Sequence, residues 1–152
     1  MKVTAYTDGS SNVTVNNTEG DGSFVFVIVD DEEREIFRDG SYFRGTVSQC
    51  ELLAALHAIK YCVARGYKEV EINSDSTYTV NSINKWVWGW NRNGWVKSNG
   101  EKVKNVDILQ QFVDLKDNIK FTAKHVKGHS GNYYNELCDS IAKEIFYKRG
   151  LN

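Results

Sequence analysis

Proline is absent from all 152 residues. Turns must therefore be read from Gly, Asn, Asp and Ser, and no proline-rich linker exists. Cysteine is scarce: Cys50, Cys62 and Cys138 are an odd number without a C-x-x-C pair. That excludes a disulfide framework, argues against a thiolate zinc site and fits a reducing, cytoplasmic compartment. There is no N-terminal secretory signal and no apolar run long enough to span a bilayer, so no membrane association is expected. Net charge is almost missing too, at −1 in total. What remains is ordinary for a soluble globular protein, with 41% hydrophobic and 26% charged residues. A single domain over residues 1–152 is expected, burying roughly 70% of the surface its unfolded chain exposes.

The neutral total hides an uneven distribution. From Glu19 to Asp39 there are eight acids against two bases, and from Lys85 to Lys104 five bases against one acid. The second segment is what contact with a polyanion needs.

Taken in order, Val3 to Asp8 reads as a first strand that ends on an acid and breaks at Gly9-Ser10. Ser11 to Ser23 reads as a polar loop, with turns at Asn16-Asn17 and Gly20-Asp21-Gly22. Phe24 to Val29 is a continuous apolar run and hence a buried strand. Arg34–Phe37 and Tyr42–Arg44 make a third strand, bulged at Gly40. Ser48-Gln49-Cys50-Glu51 fits the capping-box pattern of a helix that stripes Leu52, Leu56, Ile59 and Val63 and stops at Gly66. Glu69 to Asn73 is a fourth strand. Ser74-Asp75-Ser76 caps a helix over about 77–83, and a tryptophan-rich segment follows. Asn105 caps a helix over 106–115, Ile119 to Val126 is a fifth strand, and a last helix covers about 134–148. Strands one, four and five are separated by helices and should run parallel; strands one to three form an antiparallel meander. The fold class is α/β, a mixed five-stranded sheet flanked by helices.

Four acids can converge on this plan. Asp8 and Asp75 end strands at the same carboxyl edge, where sheets of this class bind ligands. Glu51 lies in the first turn of the first helix, and Asp139 lies in the last helix. Each has a plain alternative: turn initiator for Asp8, capping partner for Glu51, helix cap for Asp75, solvated helix acid for Asp139. Four carboxylates at one edge would repel, by roughly 4 kcal/mol for two charges about 4 Å apart at an effective dielectric of about 20. A divalent cation relieves that, and all-oxygen ligands favour Mg²⁺ or Mn²⁺ over zinc. Two such ions about 4 Å apart are the usual arrangement for cutting phosphodiesters.

Thr7-Asp8-Gly9-Ser10, Cys50-Glu51-Leu52, Ser74-Asp75-Ser76, Val126-Lys127-Gly128-His129-Ser130-Gly131 and Asn135-Glu136-Leu137-Cys138-Asp139 together resemble type 1 ribonuclease H. The resemblance runs in order over nearly the whole chain, and the last two motifs are the most specific. It implies an RNase H-like fold and endonucleolytic hydrolysis of the RNA strand of RNA–DNA hybrids with two Mg²⁺ ions, leaving 3′-hydroxyl and 5′-phosphate ends. By the resemblance Asp8 bridges both ions. Asp139 completes the site of the ion that activates water, and Glu51 and Asp75 complete the other. His129 is either a merely exposed loop residue or a proton shuttle, the role the resemblance implies. Glu136, one turn before Asp139, is a candidate supporting partner of the ligands.

All four tryptophans, Trp86, Trp88, Trp90 and Trp95, fall within ten residues. Trp86 and Trp90 share a helix face and either pack on the core or line a nucleic-acid groove. In the family this basic segment, about 85–104 here, is a handle that grips the DNA strand, with Arg92 among its bases. Asn105 and Thr46 match residues that hold a DNA phosphate. Val47 and Ser48 depart from the family pattern, which places amides there. Gln49, Gly9 and Ser10 remain as further candidates for hybrid contacts. A monomer without an obligate protein partner is expected. Two other functions stay open: a hybrid-binding module with weak or no catalysis, and a DNA-cutting nuclease of the same fold.

Overall fold

The structure is a computed structural model describing residues 1–13, 20–128 and 132–151. Five strands form one sheet: β1 Lys2–Ser11, β2 Gly20–Val29, β3 Glu35–Gly45, β4 Glu69–Ser74 and β5 Lys120–His125, in the order β3-β2-β1-β4-β5. β1–β2 and β2–β3 pair antiparallel, while β1–β4 and β4–β5 pair parallel. This is the mixed sheet expected from the alternation of strands and helices. The helices are α1 Val47–Ala64, α2 Thr77–Asn81, α3 Val87–Arg92, α4 Val106–Asp114 and α5 Tyr133–Lys148, with a π-helical turn at Ser82–Trp86 between α2 and α3. Among the described residues no helix is long and apolar enough to cross a membrane.

The two faces of the sheet are covered unequally. On one, Leu52, Leu56 and Ile59 of α1 pack with Val3, Ala5, Phe26, Ile28 and Ile72 in a large cluster that α4 extends through Leu109 and Phe112. On the other, Cys138 and Ala142 of α5 pack with Tyr6, Val25, Val27 and Val29 in a smaller one. β2 contributes to both, which is why its apolar run does not alternate.

Several boundaries differ from expectation, each for a physical reason. β1 does not end at Asp8. Its parallel pairing with β4 stops at Tyr6 opposite Asn73, but β2 stays paired with it as far as Ser11 opposite Gly22. Gly20-Asp21-Gly22 is accordingly strand and not turn, and the turn expected at Asn16-Asn17 lies outside the described residues. Gly9 is a point of close approach instead of a break: a Cβ there would lie 2.4 Å from the Cys50 carbonyl carbon and from the Glu51 nitrogen. Both are backbone atoms that cannot swing aside. Gly9→Ala is expected to destabilise the fold by about 1–3 kcal/mol, measured by urea unfolding, and an unchanged midpoint would show that α1 yields freely.

β3 is continuous through Gly40, which pairs with Val25; the irregularity falls at Ile28/Val29. The capping box of α1 is also displaced. Thr46 Oγ1 accepts the Gln49 N–H at 3.1 Å, and Gln49 Oε1 accepts the Thr46 N–H at 2.9 Å. Ser48 and Glu51 therefore lie inside the helix, and Glu51 is released from capping. Ser76, not Asp75, caps α2 by accepting the Thr79 N–H at 3.1 Å. The helical path does not stop near Ile83 but continues through the π turn to Arg92. Asn105 occupies the N-cap position of α4 without a capping bond from its side chain; its φ is 63°.

Candidate active site

β1 and β4 run parallel, so equivalent positions beyond their last pair, Tyr6 and Asn73, emerge together. Asp8 and Asp75 each lie two residues past that pair. The tight approach of α1 over Gly9 brings in Glu51 from above. One carboxylate oxygen from each of Asp8, Glu51 and Asp75 lies within 4.8 Å of the others. Asp139 joins them across a cavity of about 240 Å³ that Ser10, Gly128, Asn135 and Glu136 also line. Asp139 stands outside the tight triad, its Oδ2 3.0 Å from Lys143 Nζ one turn on. His129 lies outside the described residues.

Glu51 is the buried member, with 5% of its surface exposed. Its Oε1 accepts the Gly9 N–H at 3.1 Å, and its Oε2 accepts the Ser74 hydroxyl at 3.5 Å. These bonds do not offset its surroundings. Burial first, then the charges of Asp8 and Asp75, push its pKa up from 4.5 to about 9. The donor set is all oxygen, crowded and negative, and one member is held near protonation. That fits a hard divalent cation, whose charge would reverse the cost. In the sequence Ser74 and Asn135 stand only as members of matched motifs, with no site role of their own. Ser74 adjoins Asp75, and Asn135 sits four residues before Asp139 on the same helix face; that adjacency and spacing were the available signals. Gly128 is here for contact: a Cβ on it would lie 2.7 Å from Asp75 Oδ2.

A family model described as RNase H matches residues 1–146. The chain belongs to the RNase H family. A Ribonuclease H of Acetivibrio thermocellus is 37% identical over 149 residues, covering 97% of this chain and 96% of that one. A Ribonuclease H of Treponema denticola is 31% identical over 162 residues, covering 97% and 99%. Among solved structures, the PFV RNase H domain in solution matches with a TM-score of 0.80 at 23% identity, over 99% of this chain and 96% of that one. RNase H1 of the archaeon Halobacterium salinarum matches at 0.68 and 20% identity, over 97% and 99%. These structures share the fold.

Within this member of the RNase H family the residues expected to meet substrate fall into separate places. Trp86 and Trp90, with ring centroids 5.7 Å apart, line a groove of about 460 Å³ with Tyr78, Lys97, Lys104 and Asn105. Asn105 Nδ2 donates to Tyr78 Oη at 3.3 Å at the wall of that groove. Ser48 lines the same groove, and Val47 beside it is 42% exposed. Arg92 is not in it: it lines a different cleft with Trp88, Asn91, Val113 and Lys116. The helix that pairs Trp86 with Trp90 turns Arg92 to its other side. The Thr46 hydroxyl and the Gln49 amide oxygen are engaged in the capping box. The Gly9 N–H is committed to Glu51, and the Ser10 hydroxyl lies 3.2 Å from that of Ser23.

Proposed function

We propose that this chain is a divalent-cation-dependent endoribonuclease that hydrolyses the RNA strand of RNA–DNA hybrids, leaving 3′-hydroxyl and 5′-phosphate ends. The observation that carries the reading is the convergence of Asp8, Glu51 and Asp75 within 4.8 Å, with Asp139 on the same cavity, in a chain of the RNase H family. Asp8, Glu51, Asp75 and Asp139 would hold two Mg²⁺ ions, with Mn²⁺ as a substitute, and the bound pair would supply an activated water and stabilise the leaving 3′-oxygen. The protein's part is positional. The Gly9 N–H and the Ser74 hydroxyl orient the Glu51 carboxylate, and the parallel strand ends hold Asp8 and Asp75 side by side. Glu136 supports Asp139 from the preceding turn, and His129 moves a proton to or from the reacting phosphate.

The groove of Trp86, Trp90, Lys97, Lys104 and Asn105 takes the DNA strand, with aromatic faces for stacking and ammonium groups for phosphates. It forms part of the handle, residues 85–104, in a domain spanning 1–152. The working unit is a cytoplasmic monomer.

The test is cleavage of an end-labelled hybrid with Mg²⁺ beside RNA-duplex and DNA-duplex controls. Cutting confined to the RNA of the hybrid is expected; cutting of duplex DNA, or none of the hybrid, would reject the proposal. The separation of Arg92 from the groove sharpens a salt experiment. Replacing Lys97 and Lys104 together with Ala should lower the magnitude of the slope of log affinity against log salt by about 1–2, since each lost phosphate contact removes roughly one released counterion. Arg92→Ala should leave the slope nearly unchanged. The reverse pattern would place the DNA strand on the Trp88 side of the handle.

A further inference from the structure

The π turn at Ser82–Trp86 follows Asp75 by way of α2, and its last residue is the groove tryptophan Trp86. Such turns bond residue i to i+5, are rare and concentrate at functional sites. This one is fastened from two sides, both of which lead to β5. Asn84 Nδ2 donates to the Ala123 carbonyl at 2.8 Å, and Asn84 Oδ1 accepts the Ala123 N–H at 2.9 Å. The Trp88 indole N–H donates to the Ile83 carbonyl at 2.9 Å, while its ring meets Phe121 with centroids 6.0 Å apart. β5 is an edge strand of the sheet, so the Asn84 amide stands where the backbone of one more strand would pair. A side chain that forms two well-directed bonds to one residue's backbone fixes orientation as well as distance.

The bonded path is short in both directions. Asn84 and Trp88 flank Trp86, whose ring forms the groove wall with Trp90. Ala123 pairs with Ile72 on β4, three residues before Asp75. We propose that Asn84 is a positioning residue for substrate: by locking the π turn to β5 it sets the orientation of the tryptophan groove relative to the acid cluster, so that a strand seated in the groove presents its partner to the carboxylates. Trp88 shares the task by holding the turn from its other end. The inference rests on the hybrid-nuclease reading above. Catalysis itself needs neither side chain, so their loss acts on substrate binding.

Asn84→Leu keeps the side chain's branched four-atom shape and removes both bonds to Ala123. Trp88→Phe keeps an aromatic ring against Phe121 and removes the bond to Ile83, and it carries the test if Asn84→Leu does not fold. Affinity is measured on a fluorescent RNA–DNA hybrid without divalent ions, kcat and KM with Mg²⁺, and amide exchange at Ala123 by NMR. The expected result for Asn84→Leu is weaker binding and a higher KM, each by about 5–20-fold, with kcat within about twofold and faster exchange at Ala123. Trp88→Phe should move affinity and KM in the same direction. A core control, Ile59→Val, lowers stability away from the groove and should leave affinity alone. Unchanged affinity and KM in Asn84→Leu despite faster Ala123 exchange would overturn the proposal, as would an equal loss of affinity in Ile59→Val. If the parent protein binds no hybrid, the functional reading fails first and this inference fails with it; if the parent binds and cleaves hybrid normally, the variants judge the inference alone.

Discussion

Asp8→Asn should lower cleavage of an RNA–DNA hybrid by at least about a thousandfold while leaving the fold intact. Asn matches Asp in size, so the strand pairing of Asp8 with Val25 survives. What is lost is negative charge at the point where the other carboxylates converge. On the proposed reading, water activation and leaving-group stabilisation would both depend on cations held there, so both should fail at once. Without divalent ions the variant should be at least as stable as the parent, because one of the charges pressing on Glu51 has gone. Single-turnover cleavage and urea unfolding of the same preparation check the two halves. Near-parental turnover in Asp8→Asn would sink the carboxylate site altogether.

Glu51→Gln should stabilise the metal-free protein at pH 7.5 and change nothing at pH 4. The usual glutamate value is 4.5, and burial together with Asp8 and Asp75 raises Glu51 to about 9. A carboxyl with a raised folded-state pKa makes folding take up a proton. Full stability is present below about pH 4.5; it declines as pH climbs toward about 9 and then levels off. Gln cannot ionise and removes that loss, so a gain of about 1–3 kcal/mol is expected at pH 7.5. Its amide oxygen can still accept the Gly9 N–H. Added Mg²⁺ should narrow the gap, because binding to the folded parent stabilises it by mass action and the Gln variant binds more weakly. Urea unfolding at both pH values, with and without Mg²⁺, is the measurement. Equal stability at both pH values in metal-free protein would mean that Glu51 ionises at its site without penalty.

The order of elements, the mixed sheet and the placing of Asp8 and Asp75 at one edge are legible in the sequence because they follow from short-range signals. Apolar runs, helix stripes and the position of an acid at the end of a parallel strand need no knowledge of distant contacts. What escaped depends on partners far along the chain. Gly9 looks like a strand breaker after Asp8 in the sequence, yet its role is to admit the backbone of Cys50 and Glu51. Ser48 and Glu51 carry the commoner S-x-x-E signature of a capping box, but Thr46 with Gln49 does that work two residues earlier. Arg92 lies close to Trp86 and Trp90 in sequence, whereas helix geometry sends it to another cleft. Asn84 carries no local signal at all, since its meaning lies 39 residues away on β5.

The unequal covering of the sheet bears on when the enzyme is competent. α1, which carries Glu51, is locked over the larger apolar cluster. α5, which carries Asp139, is held by few fully buried side chains, chiefly Cys138 and Ala142, and by Tyr134 stacked on Tyr6 at 5.2 Å. Elements with less buried apolar contact open at lower free energy than the core. Amide exchange should accordingly be faster along α5 than along α1. Local opening of α5 would separate Asp139 from Asp8, Glu51 and Asp75 while α1 keeps those three assembled. During synthesis the same logic gives an order of events. Asp8 is made first and Asp139 131 positions later, so the nascent sheet can hold three acids well before the fourth is translated. On the proposed four-acid site, competence to cut would arrive only when the last helix docks.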